Sequence, residues 1–292
     1  MASPDDEFPA VGAGRLRWPL LAFLAVFLAA TLAAALLTPP VHRLLVRSAA
    51  HSPFAAHVLA KPLAKLIDRL RWPFLALGLL WLVRGTDRRS WFRPAGHLFS
   101  HFFLGCSLGL LAHGPMLLAA DWHLRPLSPA VPLALAAAPI VAILEEVVFR
   151  GLLFRSAERV LGTVAGAIAS SLFFACVHFR VAPGAPPMGS LESISLPLAL
   201  HSSWELLTAF WTNFRPVPFL SLFLLGLLLC RWARRFRSLL PAIGFHWGIV
   251  SIALPFRRLI ALGPFGGSPI DSPLCPLLLC LLLIRDRRCH GS

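Results

Sequence analysis

The sequence predicts an all-α protein, a polytopic membrane bundle of about eight transmembrane helices. Three observations carry that prediction. Mean hydropathy is +0.74, with 57% hydrophobic and 14% charged residues, against about 25% charged in soluble domains. Long apolar runs recur along the whole length and are solid Leu, Ala and Phe. They lack the alternation of outer-membrane strands, so helices are the expected spanning form. The basic residues gather in short segments between the runs, as topology determinants and anionic-lipid contacts do. That distribution argues against nucleic acid as the partner of a chain with net charge +14.

Residues 1–17 form a polar, acidic tail containing Pro and Gly. A first span is expected over Trp18–Leu37. Its Arg15/Arg17 flank and the run Ala33-Ala34-Ala35 mimic a signal peptide. The apolar stretch is longer than a usual signal core, so a retained anchor is expected. Between residues 53 and 71, Phe54, Val58, Leu59, Leu63, Leu66, Ile67 and Leu70 recur at helical spacing, with Lys61, Lys65, Arg69 and Arg71 between them. This predicts a basic amphipathic helix at the membrane interface, interrupted at Pro62. A short second span covers Trp72–Val83, and a third Leu98–Ala120. These elements make residues 18–129 an N-terminal membrane section.

A core section over residues 130–256 holds spans at Ala130–Phe154, Val160–Phe179, Pro218–Trp232 and Leu239–Leu254. Residues 257–292 add a last span, Pro273–Ile284, and a basic tail. Trp18, Trp72 and Trp232 mark span ends, as an aromatic belt does. The small residues from Val164 to Ser170 would allow close helix packing. The segment Val181–Arg215 is rich in Pro and Gly at first and then carries Trp204, Phe210 and Trp211. It reads either as a lid or partly inserted helix near a substrate entry, or as an ordinary surface loop.

With eight spans, the basic segments near residues 84–93, 155–159, 231–237 and 285–288 share one side, placing both termini in the cytoplasm. Residues 43–71 and the pair Arg257-Arg258 fall on the other side of that count. The six cysteines form no CxxC pair and no zinc-like set, and most lie in apolar runs, where cysteine acts as a small hydrophobe. The C-terminal Cys289-His290-Gly291-Ser292 has the outline of a prenylation signal, but His and Gly stand at its aliphatic positions, so the match is read as chance.

Chemistry concentrates in Leu144-Glu145-Glu146-Val147-Val148-Phe149-Arg150. Each charge in a spanning helix costs roughly 2.5–3.5 kcal/mol on insertion scales, so three together imply a function or a dedicated structural pair. Glu146 and Arg150 are four apart and share a helix face, where they can pair. Glu145 is rotated by about 100° and is left for chemistry. The competing reading is a buried three-member ion network without catalysis. His178 and His246 lie in later apolar segments. A Glu and a His can jointly hold and deprotonate a water while the other His donates to an oxyanion, which suits peptide hydrolysis. Two His and a Glu could instead hold zinc, although no HExxH pair is present.

The order Glu145-Glu146-x-x-x-Arg150, then Phe174-x-x-x-His178, then His246 resembles the CAAX-protease and bacteriocin-processing (CPBP, or Abi) family of intramembrane endopeptidases. The run from Phe219 through Gly226 to Leu239-Leu240-Pro241-Ala242-Ile243-Gly244-Phe245-His246 resembles the family's approach to its last motif. The likeness covers about residues 130–250. It implies a multi-helix membrane protein with its site in the bundle. Glu145 would be the general base, His178 its partner on water and His246 the oxyanion stabiliser. Glu146, Arg150 and Phe174 would support the site, with no catalytic metal and zinc as the alternative. One position departs. The family usually has Asn or Asp four residues after the last His, and here it is Val250, which cannot hydrogen-bond. Losing one oxyanion donor can lower a rate roughly 10²–10³-fold; Trp247 and Ser251 are the nearby polar substitutes.

The implied activity is cleavage of a membrane-anchored protein or peptide. A catalytically inactive scaffold or bacteriocin-immunity-type protein on the same fold is the alternative, and a small proton-relay transporter is a weaker third. The Lys-poor, Ala/Arg/Leu/Pro-rich composition points to a bacterial inner (plasma) membrane and away from prenylated substrates.

Overall fold

A computed structural model describes residues 19–82, 91–93, 96–119, 130–179, 187–259, 272 and 274–288. The tail 1–17 and most of the loops at 84–93 and 121–128 lie outside the described residues. Among the described residues the regular structure is helical, with one isolated bridge, Pro62 to Pro187, and no strand. They fall into two compact units, 1–86 with 176–214, and 87–175 with 215–292.

The first unit holds α1 (Pro19–Ser48), α2 (Pro53–Leu59), α3 (Leu63–Leu82) and α8 (Leu196–Asn213). The first span was expected to end at Leu37. Instead α1 continues through Pro39 and Pro40 for 30 residues. The Thr38 hydroxyl donates to the Ala34 carbonyl at 2.8 Å, beside the carbonyls that the two prolines cannot serve. One face of α1 exposes Leu21, Leu24, Leu28, Leu32 and Leu36, while Ala30, Ala34, Ala35, Thr38 and His42 are buried. Small and polar residues inside with leucines outside is the pattern of a helix bathed in lipid.

The break in the basic segment falls at Pro62, as its residues predict. Ser52 caps α2, accepting from the Ala55 amide at 3.3 Å, with Pro53 in the first turn. Beyond Pro62, however, the amphipathic half and the second span form one helix, α3, which runs through Pro73. Arg71 was expected on the solvated face and is instead only 1% exposed. It pairs with Asp68 and sits 4.9 Å above the Phe27 ring. That pair and the cation–π contact offset part of the cost of burying its charge. Leu63, Leu66 and Ile67 pack with Ala34 and Ala35 of α1 and with Ala199 and Leu206 of α8. The later part of the long Val181–Arg215 segment is thus a helix, α8, capped by Ser195. The Met188 amide ties its approach to the Lys61 carbonyl at 2.9 Å.

The second unit holds α4 (Leu98–Ala119), α5 (Ala130–Glu146), a π-helical stretch (Val147–Phe154), α6 (Arg155–Leu161), most of α7 (Thr163–Cys176), α9 (Pro216–Arg235), α10 (Leu240–Leu259) and α11 (Leu274–Arg288). Glycines set its closest approaches. Gly105 of α4 lies against the Phe245 carbonyl, and Gly248 of α10 against the Phe102 carbonyl and the Cys106 amide. Gly244 meets the Leu98 carbonyl and Gly109 meets Ile252. Two Gly-x-x-x-Gly pairs therefore face each other and let α4 and α10 touch backbone to backbone. The small residues around Gly166 also pack closely, against the backbone of Ala157 and Glu158 in α6. Gly162, at φ 78°, makes the turn that folds α7 back on α6.

A side chain at position 248 has no room to grow, because a Cβ there would lie 2.7 Å from the Cys106 nitrogen. Gly248→Val is expected to lower stability by about 1–3 kcal/mol or to prevent folding. Thermal unfolding of the detergent-solubilised protein, followed by fluorescence, measures it. An unchanged midpoint would show that this helix contact is not tight.

Two described helical stretches, Leu24–Ser48 and Pro216–Arg235, are long and apolar enough to cross a bilayer. Leu98–Gly114, Thr163–Cys176, Leu240–Ala253 and Leu274–Arg285 are shorter apolar stretches. The last helix is not cut short by Pro276, which lies in its first turn, where a missing amide costs nothing.

Candidate active site

The site begins where α5 ends. The apolar run Ala130–Phe154 was expected as one continuous span, but the backbone widens into a π-helix directly after Glu146. Such widened turns are rare and are frequent at functional sites. The Ser170 hydroxyl of α7 donates to the Phe149 carbonyl at 2.8 Å inside the widened stretch. It supplies a partner to a buried backbone group where the regular helical ladder changes.

Glu146 and Arg150 are both fully buried, with Nη1 of Arg150 2.9 Å from Oε1 of Glu146. The pair predicted from spacing is present. The same Oε1 lies 2.8 Å from Nδ1 of His246, carried by α10. Glu146 thus holds the arginine and the histidine together. The same oxygen accepts from Arg150, and in the same role toward His246 it takes the bond from Nδ1–H. Nε2, the other ring nitrogen, faces Oε2 of Glu145 at 3.8 Å. That separation is too long for a direct hydrogen bond. Glu145 is 15% exposed where Glu146 is not exposed at all, so the first carboxylate has the more open position.

Phe174 of α7 is wedged beneath the charges. The Arg150 guanidinium lies 4.3 Å over its ring, and the imidazole of His246 meets it edge-on at 6.1 Å. Phe149 packs edge-on against Phe174 at 5.0 Å. The aromatic faces accept the arginine's charge where its side chain is closed off from the surface. Glu145, Glu146, Arg150, Phe174 and His246, predicted separately from three segments, therefore form one cluster. His178 lies in the turn after α7, four residues past Phe174, with an exposed side chain. It belongs to the first unit. Val250 is half-buried, one turn beyond His246. Trp247 packs its ring on Phe102 at 4.6 Å.

Among the described residues, no group of three His, Cys, Asp or Glu side chains is gathered as a metal-holding set. Glu145 and Nε2 of His246 are the groups of the cluster that could contribute to holding a metal. Sequence reasoning missed Ser170 and the π-helix. A serine in an Ala-rich helix gives no hint of a partner 21 residues away. The glycine pairs of α4 and α10 were also missed, although their four-residue spacing is visible in the sequence.

A buried carboxylate–arginine pair and a histidine enclosed by apolar helices form a polar centre of the kind that proton-transfer chemistry needs. Residues 127–252 match the family model described as Type II CAAX prenyl endopeptidase Rce1-like. That description is of a family of integral membrane proteases, and the matched segment contains Glu145, Glu146, Arg150, Phe174, His178 and His246. No curated protein and no solved structure matches the chain.

Proposed function

We propose that the chain is an intramembrane endopeptidase that hydrolyses a peptide bond of a membrane-associated protein or peptide. The observation that carries this is the placement of His246 between two carboxylates of one helix, one neutralised by arginine and the other more open. Glu145 takes a proton from water, and the hydroxide attacks the substrate carbonyl carbon. The resemblance to the protease family assigns His178 to that water as well. Anchored through Nδ1–H on Glu146, a doubly protonated His246 turns an Nε2–H toward the oxyanion. The proton held by Glu145 then passes to the amide nitrogen as the C–N bond breaks, leaving a carboxylate and an amine. This mechanism uses no cofactor. The zinc alternative would draw on Glu145 and the two histidines.

In this proposal α1, α3, α4, α5 with its π-helical extension, α7, α9, α10 and α11 are the eight membrane-crossing segments, with both termini in the cytoplasm of a bacterial cell. The substrate is found by comparing the protein termini of host membranes carrying wild type or Glu145→Gln. New ends that vanish in the variant support peptidase action. Identical termini at equal expression would favour the inactive scaffold.

That second reading has one specific support, Val250 at a position where the family usually has Asn or Asp. If the enzyme works without that donor, Val250→Asn is expected to raise its turnover by about tenfold or more. The assay is cleavage of the substrate found in the terminus comparison. No gain, with the variant folded, would mean that the oxyanion is fully served by other groups.

A further inference from the structure

Helix α8 presents three different faces. At about 100° per residue, Leu196, Leu200, Trp204, Leu207 and Trp211 fall in one sector about 80° wide. Ala199, Ser202, Ser203, Leu206 and Ala209 occupy another sector and are buried, Ala199 and Leu206 in the core shared with α1 and α3. Between them, on one side, lie His201, Glu205, Thr208 and Thr212. The apolar sector is open to its surroundings at its aromatic positions, with Trp204 63% and Trp211 80% exposed, and Trp211 meets the Phe210 ring edge-on at 5.1 Å. Leu196 and Leu200 are exposed as well.

We propose that α8 is an interfacial helix whose Leu200–Trp204–Trp211 face is seated in the headgroup–acyl boundary of the bilayer. Three features single out lipid as the occupant. Tryptophan prefers that boundary, where an apolar ring and an N–H donor are both accommodated. A polar sector adjoins the apolar one, so a helix lying flat sends His201, Glu205, Thr208 and Thr212 toward headgroups and water while the tryptophans point inward. The helix also packs on α1, which carries its own stripe of exposed leucines suited to lipid. This seat does not depend on the peptidase reading.

The test uses the full chain in phosphatidylcholine proteoliposomes, comparing wild type with Trp204→Phe/Trp211→Phe. Phenylalanine keeps an aromatic ring on this surface face, and an unchanged circular-dichroism spectrum confirms the fold. The difference between the two fluorescence signals reports the two tryptophans. It is expected to fall by about twofold or more with lipids brominated near the top of the acyl chain, and less with lipids brominated near its end. Aqueous iodide should leave it nearly unchanged. Strong quenching by iodide without quenching by brominated lipid would place the face in water and overturn the proposal. Protection from both quenchers, with cross-linking between cysteines placed at position 204 of two chains, would assign the face to a second copy and overturn it equally.

Discussion

Glu145→Gln is expected to reduce peptide-bond cleavage by at least about 10²-fold, toward the 10⁴-fold upper range for loss of a general base. The amide is nearly isosteric, so the variant should accumulate and unfold like wild type. It cannot take a proton from water. Cleavage of the identified substrate in proteoliposomes, against a fluorescence-monitored unfolding midpoint, separates the two effects. Full turnover in a folded Glu145→Gln protein would remove Glu145 from the chemistry and the peptidase mechanism with it. If wild-type cleavage is lost on chelation and restored by zinc, the water is activated by metal and Glu145 is a ligand.

The second large effect belongs to Arg150. Glu146 and Arg150 are both inaccessible to solvent and in direct contact, and Phe174 closes one face of the guanidinium. Arg150→Met leaves the Glu146 carboxylate buried with only His246 to face it. Breaking such a pair by removing one partner costs about 3–5 kcal/mol, because a charge stays buried without compensation. The variant is expected to be poorly folded. The double variant Glu146→Gln/Arg150→Met removes both charges and is expected to regain much of the stability. It should not regain full activity, because a neutral Gln amide is a weaker acceptor for Nδ1–H than the carboxylate and no longer offsets a positive charge on His246. Thermal midpoints of the two variants and the cleavage rate of the double variant measure this. A double variant with wild-type turnover would show that Glu146 serves stability alone.

The cluster illustrates what could be read in advance. Glu146 and Arg150 were legible because a four-residue spacing brings two side chains together on any helix, whatever surrounds it. That His246 completes the pair through Nδ1 was not, because it depends on where α10 is placed. That placement rests on Gly244 and Gly248 meeting the backbone of α4, a contact between segments more than 130 residues apart. The expected lid-or-loop over Val181–Arg215 shows the same limit. Its helical part alternates polar and apolar residues in three sectors, and only the packing of Ala199 and Leu206 in the core shows which sector faces inward. Arg71 went the other way. Its basic neighbours argued for a solvated side chain, and Asp68 with Phe27 buries it.

By itself the sequence determined the helical, membrane-embedded class, since runs of apolar residues of that length can satisfy their backbone in lipid only by helix formation. It also determined which ionisable residues are costly enough to demand a reason. Tertiary structure alone decided the widening of the helix after Glu146, the burial of Arg71, and the union of Glu145, Glu146, Arg150, Phe174 and His246. Each of these depends on long-range close packing, whose distances are set by the small residues and hydroxyls of a partner helix and leave no periodic trace in the segment they act on.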